Sequence, residues 1–82
     1  MGLDKEVKMV HQEVKKFLVE KGIKQSRLSI LIEESFPDLK FSKNKLNNIL
    51  NGRVELSAED FRIILFTLKK IFPELEANYF YK

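Results

Sequence analysis

The chain has 82 residues, with 15 Lys or Arg, 12 Asp or Glu, a formal net charge of +3 and no cysteine. A chain this short builds one modest core, so a single domain over 1–82 is predicted, and the absence of cysteine excludes disulfides and thiolate metal sites. The sequence contains no signal-peptide core and no run of about 18 apolar residues, which predicts a cytoplasmic protein without membrane association.

The first predicted helix runs from Asp4 to Lys21. Its apolar side chains have the spacing of one helical stripe. They are Val7, Val10, Val14, Phe17 and Leu18. Gly22 is expected to end this helix, because glycine takes the left-handed conformation without steric cost. His11 is the only histidine, and we expect it to be solvated rather than functional.

The second helix is predicted from Gln25 to about Ser35, since Pro37 disfavours helical geometry at the residue before it. Its inward side chains are expected to be Leu28, Leu31 and Ile32. Ser42 is a favourable N-cap for a short third helix. The buried side of that helix is predicted to consist of Leu46, Ile49 and Leu50. Asn51-Gly52 is also typical of a β-hairpin, but the preceding KNKLNNIL does not alternate, so we interpret Gly52 as the helix end.

A fourth helix is predicted to begin at Ser57, which with Asp60 has the form of a capping box. It offers a broad apolar face before Pro73 ends it. That face consists of Phe61, Ile64, Leu65, Leu68, Ile71 and Phe72. The tail is expected to form one more turn that lays Tyr79 and Phe80 on the other helices. The predicted fold class is therefore all-α, a small bundle of four to five helices.

The sequence lacks the residue patterns that are typical of catalytic sites. His11 has no nucleophile or metal-ligand partner at a suitable spacing, and neighbouring acids on a helix point about 100° apart, so they form no acid/base pair. No glycine-rich phosphate loop is present. We therefore expect no catalytic residue, no metal and no cofactor.

An ordered set of short motifs extends from Gly22 to Gly52. After the first glycine come Gln25-Ser26-Arg27-Leu28-Ser29, Phe41-Ser42, Lys43-Asn44-Lys45, Leu46-Asn47-Asn48-Ile49 and Asn51-Gly52. In this order they resemble the helix-turn-helix core of the Cro/XRE family of phage-type repressors, and the resemblance extends over about residues 6 to 80. It implies a lambda-repressor-like DNA-binding domain, bacterial or phage-encoded and nucleoid-associated, with recognition unit 25–52.

The chain departs from the family pattern at two places. Between Leu28 and Ser42 it has seven more residues than the family, within 34–40, so the turn before the recognition helix is longer. This insertion carries acidic residues, which would repel phosphate if they faced a duplex. Leu50 stands where the family usually has glutamate.

The third helix provides the main sequence evidence for DNA binding. Its spacing puts a set of amides on the outward face, beside Lys43 and Lys45. They are Asn44, Asn47, Asn48 and Asn51. Such amides can pair with adenine in the major groove while lysines neutralise phosphates. The same pattern would also arise as a solvated face in an AT-rich genome.

Phosphate contacts are expected around this helix. The start of a helix favours phosphate, which makes Gln25, Ser26 and Arg27 candidates, and the resemblance implies a backbone contact for Gln25. Ser42, at the start of the third helix, is also a candidate for contact with DNA, and Arg53 and Lys40 could clamp flanking phosphates. Together these features predict a sequence-specific transcriptional regulator, a repressor whose recognition helix 43–51 enters the major groove.

The sequence also suggests two partners other than DNA, a second copy of this chain and a different protein. Family members usually act as homodimers, and a dimer surface could include side chains of the fourth helix or the tail. Those side chains are Ile63, Phe66, Tyr79, Phe80 and Tyr81. Burial in the core is the favoured interpretation of each of them. The alternative function is a protein-interaction module, such as an antirepressor, antitoxin or phage-encoded inhibitor, that uses the 34–40 insertion on a protein partner.

Overall fold

The structure, a computed structural model, describes residues 10–80. Within that range the chain forms four α-helices and one 3-10 helix, and no strand. They are α1 (Val10–Glu20), α2 (Gln25–Ser35), α3 (Lys43–Leu50), α4 (Ala58–Ile71) and the 3-10 helix Ala77–Phe80. The all-α prediction is confirmed, while the predicted helical start at 4–9 and the side chains of Val7 and Tyr81 lie outside the described residues. No helix of this range has the length and hydrophobicity that crossing a bilayer requires.

The helix boundaries follow the local chemistry that the sequence indicates. The Ser42 and Ser57 hydroxyl oxygens each accept the backbone N–H three residues later at 3.1 Å, and so cap α3 and α4. Gly22 and Gly52 both have positive φ, at 69° and 76°. Gly52 therefore ends α3, and the helix-end interpretation of Asn51-Gly52 is confirmed.

One hydrophobic core unites the helices. Helix α3 packs on both α1 and α2, α4 packs on α2, and the 3-10 helix packs on α1. The described inward residues of α1 and all three predicted for α3 are buried, as are Leu28 and Ile32 of α2. Because α3 is only eight residues long, its position depends on this burial rather than on its own helical propensity.

Aromatic rings close one end of the bundle. The Phe17 ring makes edge contacts with Phe72, Tyr79 and Phe80, at centroid distances of 5.3, 5.4 and 5.6 Å. Phe80 also meets Phe61 at 5.9 Å. The predicted turn that lays the tail on the other helices is confirmed.

Several predicted burials differ in the structure. Ile71 was predicted to face inward and is 43% exposed, because α4 ends there and the chain turns to bring Phe72 onto Phe17 instead. Leu31, Leu65 and Phe72 are only half-buried. Ile63 and Phe80, both considered for a dimer surface, are buried to 8% and 1% exposure and belong to the core. Core burial, the interpretation that the sequence favours over a dimer surface, is confirmed for these two residues.

Candidate nucleic-acid interface

The first turn of α3 presents its polar side chains to solvent. Leu46, Ile49 and Leu50 anchor the opposite side at 0 to 1% exposure. Lys43 and Asn44 are both exposed. The N-terminal end of α3 therefore exposes one ammonium group and one amide at consecutive positions. In helix-turn-helix complexes this is the end of the recognition helix that reaches base edges.

Lys45 is held at one edge of α3 by its neighbours. Its ammonium Nζ lies 3.4 Å from the Asp60 carboxylate and 4.8 Å from the centre of the Phe41 ring. The side chain of Lys45 is 44% exposed. Its charge is thus partly balanced by α4, and reaching a phosphate would mean loosening these contacts.

The opposite edge of α3 is tied to α1. The Asn51 amide donates to the Asn47 side-chain oxygen, and Lys15 Nζ donates to the Asn51 side-chain oxygen at 2.7 Å. Lys15 thereby places a cation near the C-terminal end of α3, where the helix dipole favours positive charge. Sequence reasoning missed Lys15, and because the partners are 36 positions apart in the chain, no local pattern could have revealed it.

The loop after α3 folds back along the helix. The backbone N–H groups of Arg53 and Val54 donate to the Asn48 carbonyl at 2.9 and 3.3 Å. Asn48 and Asn47 are half-buried, whereas the Arg53 side chain is exposed. The four asparagines predicted to share one solvated face are therefore unequal. Asn44 is exposed, and its side chain makes no hydrogen bond with another residue of the range 10–80.

His11 differs from its predicted solvated state. It is half-buried, and its Nε2 lies 2.9 Å from the position that a Cβ on Gly52 would occupy. The imidazole thus packs over the residue that ends α3. Between residues 10 and 80 no group of three or more His, Asp or Glu side chains is arranged to hold a metal ion.

The start of α2 supplies a second polar surface. Its N-cap residue, Lys24, has no side-chain hydrogen bond to the helix, so the first backbone N–H groups receive no cap from it. Gln25 and Ser26 are half-buried and Arg27 is exposed. The Ser29 hydroxyl donates to the Ser26 carbonyl at 2.8 Å, which turns this small side chain inward.

The insertion lies beside α3 without covering its first turn. The Pro37–Lys40 stretch is exposed, and it borders an open groove of about 440 Å³. The groove is lined by Glu33, Pro37, Leu39, Lys40, Phe41 and Ser42. Acidic and basic side chains therefore meet at the start of α3, and Lys43 and Asn44 remain accessible.

Comparisons with protein-family models, with curated proteins and with solved structures give no significant match to this chain. The structure by itself establishes a small all-helical arrangement over 10–80.

Proposed function

We propose that this protein is a sequence-specific DNA-binding regulator, a repressor of the Cro/XRE type with a lambda-repressor-like fold, which inserts the first turn of α3 into the major groove. The observation that carries the proposal is the exposed pair Lys43 and Asn44 on a helix whose opposite side is fully buried. In this arrangement the amide can pair with adenine while the ammonium neutralises a phosphate.

The composition of α3 supports this role. Four asparagines lie between positions 44 and 51, although asparagine is among the weaker helix formers. No acid lies in the first turn and no base in the last turn to complement the helix dipole. These features lower the stability of α3. Their presence is explained if the outward side chains bind a partner through their amide groups.

Phosphate contacts would surround this pair. The uncapped start of α2 offers backbone N–H groups beside Gln25, Ser26 and Arg27, which together suit a phosphate. Exposed Lys40 precedes α3 and exposed Arg53 follows it. Cations at both ends of the helix fit a duplex whose backbones lie on either side of the groove.

The contacts also rank the lysines and asparagines. Lys45 is paired with Asp60, and Asn47 accepts a hydrogen bond from Asn51. These side chains therefore position α3 more than they reach DNA. Of the side chains of α3, Lys43 and Asn44 should therefore contribute most to the affinity for DNA.

The experiment is fluorescence anisotropy with an AT-rich duplex of about 25 base pairs, titrated at about 50 and 200 mM salt. Wild type should bind and lose affinity steeply with salt. Lys43→Glu should lower the affinity at least about tenfold, since it replaces a phosphate contact with repulsion. Lys69→Glu, an exposed position near the far end of α4, makes the same charge change and should have little effect. No binding at low salt, or equal losses in both variants, would contradict the proposal.

A second candidate function is the protein-interaction module. The exposed insertion favours it, because Leu39 is 38% exposed beside the 440 Å³ groove and acidic Glu33 and Asp38 accompany it. An exposed apolar side chain near these two carboxylates, with Lys40 also on the groove, suits a protein partner better than a phosphate backbone. Replacing Leu39 by Asp should then abolish capture of that partner, whereas the DNA-binding function should survive this change.

A further inference from the structure

Three polar side chains form a chain of hydrogen bonds across the contact between α1 and α3. Lys15 Nζ on α1 donates to the Asn51 side-chain oxygen at 2.7 Å, and Asn51 Nδ2 donates to the Asn47 side-chain oxygen. Asn47 and Asn51 are four positions apart, so their side chains are neighbours on one face of the helix. We call these three side chains the amide relay.

Lys15 fixes the direction of the amide relay. An ammonium group has three N–H donors and no acceptor, so only the oxygen of the Asn51 amide can face it. The NH2 group of Asn51 is then directed at Asn47, and it pairs with the oxygen of that amide. Each amide by itself could take either of two orientations that exchange its oxygen and nitrogen. One cation on α1 therefore determines the orientation of two amides on α3.

The amide relay leaves the NH2 group of Asn47 available. Its two N–H donors have no partner among residues 10–80. Asn47 is half-buried, but within this range no buried side-chain nitrogen or oxygen lacks a hydrogen-bond partner. Asn47 Nδ2 is therefore accessible to solvent. Because the oxygen of the same amide is directed at Asn51, Asn47 presents donors to a ligand and no acceptor.

A group that presents only donors distinguishes the bases in a major groove. Guanine has two acceptors there, N7 and O6, whereas adenine has N7 beside the N6 donor and cytosine has the N4 donor. The bidentate pair of asparagine with adenine needs the amide oxygen as well as the NH2 group. Asn47 is thus matched to guanine and mismatched to adenine and cytosine. A mismatch leaves donors unpaired in the interface, and so lowers the affinity for the wrong site.

We propose that Lys15 is a specificity-determining positioning residue, which acts through the amide relay so that Asn47 selects guanine at one position of the DNA site. The inference rests on the proposed DNA-binding function and deepens it. Lys43 and Asn44 supply affinity at the start of α3, and Asn47 supplies selectivity one turn later. Lys15 acts through Asn51 and not through a contact of its own with a base.

The first test examines the amide relay in the protein alone, by nuclear magnetic resonance of the side-chain NH2 groups. One proton of Asn51 should be shifted downfield by its hydrogen bond, whereas those of Asn47 should resemble a solvated amide. Lys15→Glu replaces the donor with an acceptor, so both amides should turn over and a proton of Asn47 should move downfield. Lys16→Glu, at the exposed next position of α1, makes the same charge change outside the relay and should leave these signals unchanged.

The second test is the selection of duplexes from a randomised pool, followed by sequencing. The position that Asn47 faces is the one whose preference disappears in Asn47→Ala. Wild type and Lys16→Glu should favour guanine over adenine there at least about tenfold, the discrimination of one good base contact. Lys15→Glu frees the Asn47 oxygen and should change the preference to adenine. Lys15→Met has no group that orients the amides and should show neither preference.

The two tests distinguish a failure of this proposal from a failure of DNA binding. Unchanged Asn47 signals in Lys15→Glu would overturn the amide relay whatever the protein binds. If wild type enriches no sequence, the proposed function fails and base selection fails with it. If wild type enriches a site but Lys15→Glu selects the same bases, or Asn47→Ala keeps every preference, DNA binding stands and the role of Lys15 in specificity is overturned. A change from guanine to adenine in Lys15→Glu, with helical circular dichroism like that of wild type, is the expected result.

Discussion

Helices α3 and α4 are stabilised in different ways. Helix α4 has 14 residues, Glu59 and Asp60 in its first turn and Lys69 and Lys70 in its last, so its charges complement its dipole. Helix α3 has eight residues and no such charges. It is retained by a serine cap and by contacts with α1, α2 and α4. The shorter helix therefore depends on its surroundings for its position, whereas the longer one also has terminal charges that favour it and leaves the Phe66 ring exposed.

The largest difference should appear when an apolar side chain of each helix is shortened. Leu46→Ala in α3 removes a side chain at 0% exposure and should lower the free energy of unfolding by about 2 to 5 kcal/mol. Ile71→Ala in α4, at 43% exposure, should cost less than about 1 kcal/mol. Urea unfolding followed by circular dichroism measures both. Similar losses in the two variants would show that α4 buries its last apolar residue after all.

A side chain at the glycine that ends α3 should destabilise the protein more than a side chain at the glycine that ends α1. Gly52→Ala forces a side chain into φ 76° and against His11, whereas Gly22→Ala forces it into φ 69° with nothing within 4 Å. Left-handed backbone alone costs about 1 to 2 kcal/mol for a non-glycine residue. Gly52→Ala should therefore destabilise the protein more than Gly22→Ala does.

The contact with His11 is the source of that expected difference. Adding His11→Ala to each glycine variant should bring the two unfolding free energies together. If Gly22→Ala is the more damaging variant, or if the His11 change leaves the difference intact, α3 does not depend on α1 at this point.

The sequence predicted the helices well because their determinants are local. Ser42, Ser57, Pro37 and the glycines act within one turn of their own positions, so each boundary could be inferred from a few letters. The buried side of α3 was likewise correct, because three apolar residues in an otherwise polar helix allow one orientation only.

The surfaces could not be predicted because their partners are distant along the chain. Lys15 reaches Asn51, Lys45 reaches Asp60 and Lys70 reaches Ser35. Such contacts decide which amides and ammonium groups remain available. They also explain why the outward face of α3, uniform in the sequence, is divided in the structure into an exposed first turn and tethered edges.

The helix caps should also differ in their importance. Ser42→Ala and Ser57→Ala each remove one hydrogen bond to a backbone N–H, a change that usually costs about 1 kcal/mol. The loss should be larger for Ser42, since the acids in the first turn of α4 still favour its exposed N–H groups. Thermal unfolding of the two variants measures the difference. A larger loss in Ser57→Ala would mean that α3 is less dependent on its cap than its composition suggests.

The smallest change in stability should be the most informative about function. Asn44→Ala replaces an exposed, weak helix former with the best one, so it should raise the free energy of unfolding by about 0.5 kcal/mol. If Asn44 pairs with a base, the same variant should bind a duplex selected from a randomised pool about tenfold more weakly, the effect of losing one bidentate contact. A variant that is more stable but binds DNA more weakly would show that Asn44 destabilises α3 and contributes to the affinity for DNA. A gain in stability with unchanged affinity would instead identify Asn44 as a solvated residue that reflects codon preference alone.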